Sequence, residues 1–178
     1  PFILQYAEIC LKFLILSDLI FLSGWELVDP IFALFVVQEV VGATIITVGA
    51  TVSVYWITKS LAQIPIAIYL DKHEGERDDF RALVFSLMLS GFASFALVLV
   101  KTTPMLFLVI FLKAMAFAFY IPAWSAIFSR HLDKNHYAFD WSLDSTTIGI
   151  ASGVAAFAGG AIAKTFGFPA VFIFSSAL

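Results

Sequence analysis

Leu70-Asp71-Lys72-His73-Glu74-Gly75-Glu76-Arg77-Asp78-Asp79-Phe80-Arg81 is the densest charged stretch of the chain, and nine of its twelve residues are ionisable with His73 counted. Long apolar segments flank it on both sides, over 45–69 and 82–100. A bilayer core of about 30 Å is crossed by about 20 helical residues, so each flank is long enough to span one. The stretch therefore reads as a tight turn joining two membrane helices on one face of the bilayer.

Composition supports that reading across the whole chain. Hydrophobic residues make up 61% and charged residues 13% of the 178 residues, and mean hydropathy is +0.98. Soluble domains carry about 25% charged residues, so the pattern excludes a soluble domain and indicates a polytopic membrane protein. The single cysteine, Cys10, excludes an intrachain disulfide and a cysteine-based metal site, and reads as apolar filler. No cleavable leader is evident, because Lys12 interrupts the first apolar run. With Pro1 first and Leu178 inside an apolar run, the chain is expected to be part of a longer protein.

The expected fold is an all-α membrane protein, a six-transmembrane-helix bundle in a single domain over 1–178. Its helices are placed at about 11–37, 45–69, 82–100, 105–129 and 142–163, with a truncated sixth over 169–178. Lys12, Lys72, Arg77, Arg81, Arg130 and Lys134 fall on one side, against Lys101 and Lys164 on the other. Six against two puts the N-terminus and the charged turn in the cytoplasm. Pro30 and Pro122 each lie seven residues before these estimated helix ends, in helices of opposite direction. That placement matches an inverted three-plus-three repeat.

Here the chain resembles the N-terminal half of a major facilitator superfamily transporter. That family's signature in the helix 2–3 turn is Gly, three residues, Asp, a basic residue, then Gly and further basic residues. The matching run is Ala67-Ile68-Tyr69-Leu70-Asp71-Lys72-His73-Glu74-Gly75-Glu76-Arg77, with Asp71 and Lys72 in register, Ala67 in place of the first Gly, and Gly75 one residue late. The exit of helix 4, Pro122 to Arg130, and the Gly-rich helix 5 leading to Phe166-Gly167-Phe168 are also similar to the family. Val154 stands after Gly153 where antiporters of the family carry Pro, which argues against that subgroup.

The resemblance implies a secondary active transporter of the plasma membrane (the inner membrane in a bacterium). It would move a small solute by alternating access, ion- or proton-coupled, with no cofactor and no catalysed chemistry. A second six-helix half is expected C-terminal to this chain, among membrane lipids, and no nucleic-acid partner. Asp71, Lys72, Gly75 and Arg77 would form a conformational gate. Alternatives are a non-transporting scaffold or receptor, which the intramembrane charges oppose, and a membrane enzyme. The enzyme lacks support because no paired membrane His, HExxH or GxSxG occurs, and the absence of a P-loop argues against nucleotide-driven pumping.

Ionisable residues at membrane depth cost roughly 2.5–3.5 kcal/mol each and usually face a cavity or a partner. Glu26 and Asp29 lie three apart on one helix face. Counted from the outer helix ends at about 1.5 Å per residue, Asp29 matches Lys113 in depth and Glu26 matches Lys59 within about one turn. These four are the expected substrate or proton site, with Trp25 and Trp124 deep enough to line it. Trp141 fits an interfacial belt. His131, Asp133 and His136 lack the spacing of a metal site and read as a solvated turn. Asp140 and Asp144 read as ordinary helix N-terminal acids. Gly149, Gly153, Ala156 and Gly160 form a small-residue stripe expected to admit a neighbouring helix.

Overall fold

A computed structural model of the chain describes residues 2–72, 75–132 and 137–178. The expectations that rest on His73, Glu74, Asp133, Lys134 and His136, and on the side chain of Cys10, lie outside the described residues. Six helices follow in order: α1 Phe2–Glu39, α2 Ile45–Lys72, α3 Glu76–Ala96, α4 Thr103–His131, α5 Tyr137–Phe166 and α6 Phe168–Ala177. A short 3-10 turn, Leu97–Leu99, closes α3. Five of the helices are long and apolar enough to cross a membrane, and α6 is a shorter apolar helix.

The helix breaks are local chemistry. Gly75 is extended at the N-cap of α3. Pro104 and Pro169 sit in the first turns of α4 and α6, where their missing N–H groups cost no helical bond. Gly167, at φ +81, supplies the left-handed residue that separates α5 from α6. Within α1, α2 and α4 the helix continues through Pro30, Pro65 and Pro122. Large apolar side chains such as Ile46, Leu61, Phe92 and Phe157 stand exposed around the bundle. Soluble proteins rarely expose so much apolar surface, and a lipid belt accounts for it.

Helix packing follows the repeat. α1 packs on α5 as α4 packs on α2, and α1 packs on α6 as α4 packs on α3. Exchanging α1–α3 with α4–α6 thus preserves the main pairings, while the lesser α1–α2 and α5–α6 contacts lack counterparts of similar extent. α1 and α4 are the most buried spans, and α2 and α5 the least. Pro30 and Pro122 keep equivalent places, nine residues before the last residues of their helices at Glu39 and His131. At the end opposite the charged turn, the Val41 amide donates to the Lys101 carbonyl at 3.0 Å, tying two connections together.

Three differences from the sequence reading bear on function. α1, α3 and α5 each begin about five or more residues earlier than placed, at Phe2, Glu76 and Tyr137. The charged residues Arg77 to Arg81 are therefore helical, and Asp144 lies two turns inside α5. The third difference is a correction: Gly149, Gly153 and Gly160 face open space, and the close approach is made by Gly159, where a Cβ would lie 2.1 Å from the Leu27 carbonyl oxygen of α1. The helix that packs on α5 sits one position round from the proposed stripe.

Candidate functional site

A cavity of about 340 Å³ opens between α1, α2 and α4, walled by Trp25, Glu26, Asp29, Tyr55, Trp56 and Lys113 among others. Asp29 and Lys113 lie ten residues from Glu39 and Thr103, at the same end of the bundle. Antiparallel neighbours bring equal depths together, and Lys113 Nζ donates to Asp29 Oδ1 at 2.7 Å. The pair is lopsided, the lysine side chain being 11% exposed and the aspartate 51%. Lys113 Nζ also stands 3.9 Å from the centroid of the Trp25 ring and 5.4 Å from that of Tyr55. Aromatic faces stabilise a desolvated ammonium in this way.

Trp25 is held from behind. Its indole Nε1 donates to Ser90 Oγ of α3 at 2.6 Å, and its ring meets Phe117 edge-on. Close packing of α6 supports this wall, since a Cβ on Gly24 would lie 3.1 Å from the Ser175 carbonyl oxygen. Ser94 bonds Ser175 Oγ at 2.8 Å across the same seam.

The remaining candidates fall elsewhere. Lys59 makes no bond to Glu26. Its Nζ lies over the rings of its own helix, 4.5 Å from Trp56 and 5.7 Å from Tyr55. The reason is azimuth: α2 packs mainly on α4 and touches α1 little, so matching depth does not bring the two side chains together. The four charges therefore form one ion pair and two separate groups. Trp124 stands outside the cavity wall, stacked on Phe128 with centroids 4.4 Å apart and edge-on to Trp141. Among the described residues its buried indole N–H has no partner.

At the charged turn, Asp71 and Lys72 end α2 in exposed positions, and Arg77 is exposed at the start of α3. The contact that fastens this end is one the sequence reading missed. Asp79, 1% exposed in its side chain, accepts from Arg130 of α4 at 2.5 Å, and Arg130 is 42% exposed. The neighbouring Asp78–Arg81 pair is a solvated i, i+3 pair of little energetic consequence. A groove beside them, about 730 Å³, is mostly apolar, with Arg77, Arg81 and His131 at its edge.

A second polar node was also missed. Asp18 of α1 is buried and accepts a hydrogen bond from the Tyr120 hydroxyl of α4. Asp144 of α5 is buried at matching depth, and its charge reaches both groups. Between this node and the cavity lie stacked rings, Phe21 on Tyr120 at 4.1 Å and Phe21 beside Phe117 at 5.3 Å. The early start of α5 was the missing signal, because a helix placed from residue 142 makes Asp144 look terminal.

Comparison with known families gives one assignment. The family model described as Major Facilitator Superfamily matches residues 14–178, nearly the full length and all six helices. Comparisons with curated proteins and with solved structures found no match. The six-helix bundle, its paired three-helix packing and the family match agree, and the chain belongs to the major facilitator superfamily.

Proposed function

We propose that this chain forms the N-terminal six-helix half of a secondary active transporter, moving a small solute by alternating access with ion or proton coupling. The observation that carries the reading is the Asp29–Lys113 pair on the wall of a cavity of about 340 Å³. That volume lies within the usual range of about 300–1,000 Å³ for small-molecule sites. A solute with a charged or hydrogen-bonding group can replace one partner of the pair, and the aromatic wall of Trp25, Tyr55 and Trp56 can hold its apolar part. Glu26 adds a second acid within the same wall. Lys59 and Trp124 stand outside this lining.

The exposed faces of α2 and α5, including the open Gly149 and Gly153, are the surfaces offered to a second half. The six-to-two distribution of Lys and Arg orients the N-terminus and the charged turn to the cytoplasm of a plasma membrane. Asp71, Lys72, Gly75 and Arg77 then lie at the cytoplasmic helix ends, where contact between the halves would be gated.

The test uses the full-length protein in proteoliposomes. A panel of small solutes is screened by thermal shift, and uptake of the stabilising solute is measured. The Asp29→Asn, Lys113→Met double variant removes both charges together, so it should fold while losing the ligand-induced shift and the uptake. Uptake at the wild-type rate would make the pair a structural tie between helices and place the solute elsewhere.

A further inference from the structure

The node around Asp18 is assigned no role by the solute cavity, about 16 Å away along α1 at about 1.5 Å per residue. Its side chains are sealed: Asp18 is 4%, Asp144 5% and Trp124 6% exposed. Tyr120 has one hydroxyl proton and gives it to Asp18. Asp144 Oδ1 and Trp124 Nε1 are buried without partners among the described residues. Among the described residues no lysine, arginine or histidine pairs with either carboxylate.

The charged groups nearby do not relieve them. On α4, Arg130 is bonded to Asp79 and the His131 ring to the Ile127 carbonyl, both near the end of the helix. On α5, Asp140 is a third acid, one turn nearer the charged turn, buried and with an interaction of its own. On α1, Lys12 is exposed at the start of the span.

Two ionised carboxylates buried at one depth on the packed helices α1 and α5, with no paired counter-charge among the described residues, pay both desolvation and mutual repulsion. Such groups lower the cost by taking up a proton, and when coupled they titrate as one unit. A metal cation would need a shell of several oxygens. Among the described residues no group of three or more His, Cys, Asp or Glu comes together to hold one, and rings of Phe21 and Phe117 pack beside the node. A proton needs no such space.

We propose that Asp18 and Asp144, with Tyr120, form a proton-binding site in the half of the bundle nearer the charged turn, distinct from the Asp29–Lys113 cavity. The proton passes between water and a carboxylate oxygen, and Asp140 lies one turn along α5 toward the charged-turn end to receive or deliver it. The site's part in coupling rests on the transporter reading, whereas proton binding itself does not.

The test is infrared difference spectroscopy of the full-length protein reconstituted in lipid, titrated with pH at constant sodium. Wild type should gain a protonated-carboxyl C=O band on acidification, and 4-13C-aspartate labelling, which needs no variant, should displace that band. Asp144→Asn and Asp18→Asn should each remove or displace the titrating band, Tyr120→Phe should shift its midpoint, and Asp29→Asn should retain the band. A band that ignores the aspartate label, or one that titrates as wild type in both node variants, overturns the proposal. So does a spectrum that responds to sodium and not to pH. None of these readings uses transport. A double variant at Asp29 and Lys113 that still takes up solute would sink the cavity reading and leave the proton site standing.

Discussion

Gly159→Ala is the perturbation whose consequence the geometry fixes most closely. The added Cβ would lie 2.1 Å from the Leu27 carbonyl oxygen and 2.8 Å from its carbon, whereas ordinary contact begins near 3.4 Å. Both obstacles are backbone, so no side-chain rotation relieves the clash, and α1 and α5 must separate by more than an ångström. Overpacking of this kind costs about 1–3 kcal/mol. The intrinsic helix preference of Ala over Gly, about 0.5–1 kcal/mol, acts in the opposite direction and offsets only part of it. The next residue is the control. At Gly160 nothing lies within 4 Å of the added atom, so Gly160→Ala keeps the helix gain without the clash. Thermal unfolding in detergent reads the contrast, at about 2–4 °C per kcal/mol. Gly159→Ala should melt lower and Gly160→Ala at or above wild type. A Gly159→Ala protein as stable as wild type, or an equal drop at both sites, would refute the close approach of α1 to α5. Leu27 lies between Glu26 and Val28, so the displaced backbone should also weaken solute binding in the cavity.

At the charged turn, Arg130→Ala strands the buried Asp79 carboxylate, at a cost of about 1–3 kcal/mol. Asp79→Asn leaves only a half-exposed arginine and should cost less, and the reverse order in thermal melts would remove the pair as the fastening of α3 to α4. Exposed Asp71 is the counterpart, because Asp71→Asn should leave the melting temperature unchanged while slowing transport, as measured in proteoliposomes. Orientation is read from single cysteines at Gly75 and Thr102 in a Cys10→Ser background. A membrane-impermeant reagent applied outside cells should label only position 102, and labelling at position 75 would invert the topology.

What the sequence conveyed well was position along the membrane normal. Apolar runs of about 20 residues and the charged turn between two of them set the spans. Depth counted from a shared end paired Asp29 with Lys113 before any packing was known. Position around each helix was far less legible. Lys59 and Glu26 match in depth, yet α2 leans on α4 and the two do not meet. Gly159 and Gly160 are adjacent in sequence but about 100° apart around the helix axis, and only the neighbour's location decides which one packs. Helix starts were the other weak point: with α3 beginning at Glu76 and α5 at Tyr137, Asp79 and Asp144 leave the category of surface acids and become buried ones.

The two polar nodes share an element. Asp18 and Asp29 lie eleven residues apart on α1, three turns at 3.6 residues per turn, and so face the same side. Both reach α4, Asp29 through Lys113 and Asp18 through Tyr120. The rings of Phe21, Phe117 and Tyr120 fill the helix–helix contact between them. A tilt of α1 against α4 about that aromatic fulcrum lengthens one polar contact as it presses on the other. On the proposed reading, a solute that broke the Asp29–Lys113 bond would bear mechanically on the Asp18–Tyr120 bond. A proton bound at the proposed Asp18 and Asp144 site would bear in turn on the cavity. If the two titrate independently, so that saturating solute leaves the carboxyl titration unmoved, α1 does not act as that lever. Linkage requires the effect to be reciprocal: a solute whose affinity changes with the charge of the node must move the node's titration by the same free energy.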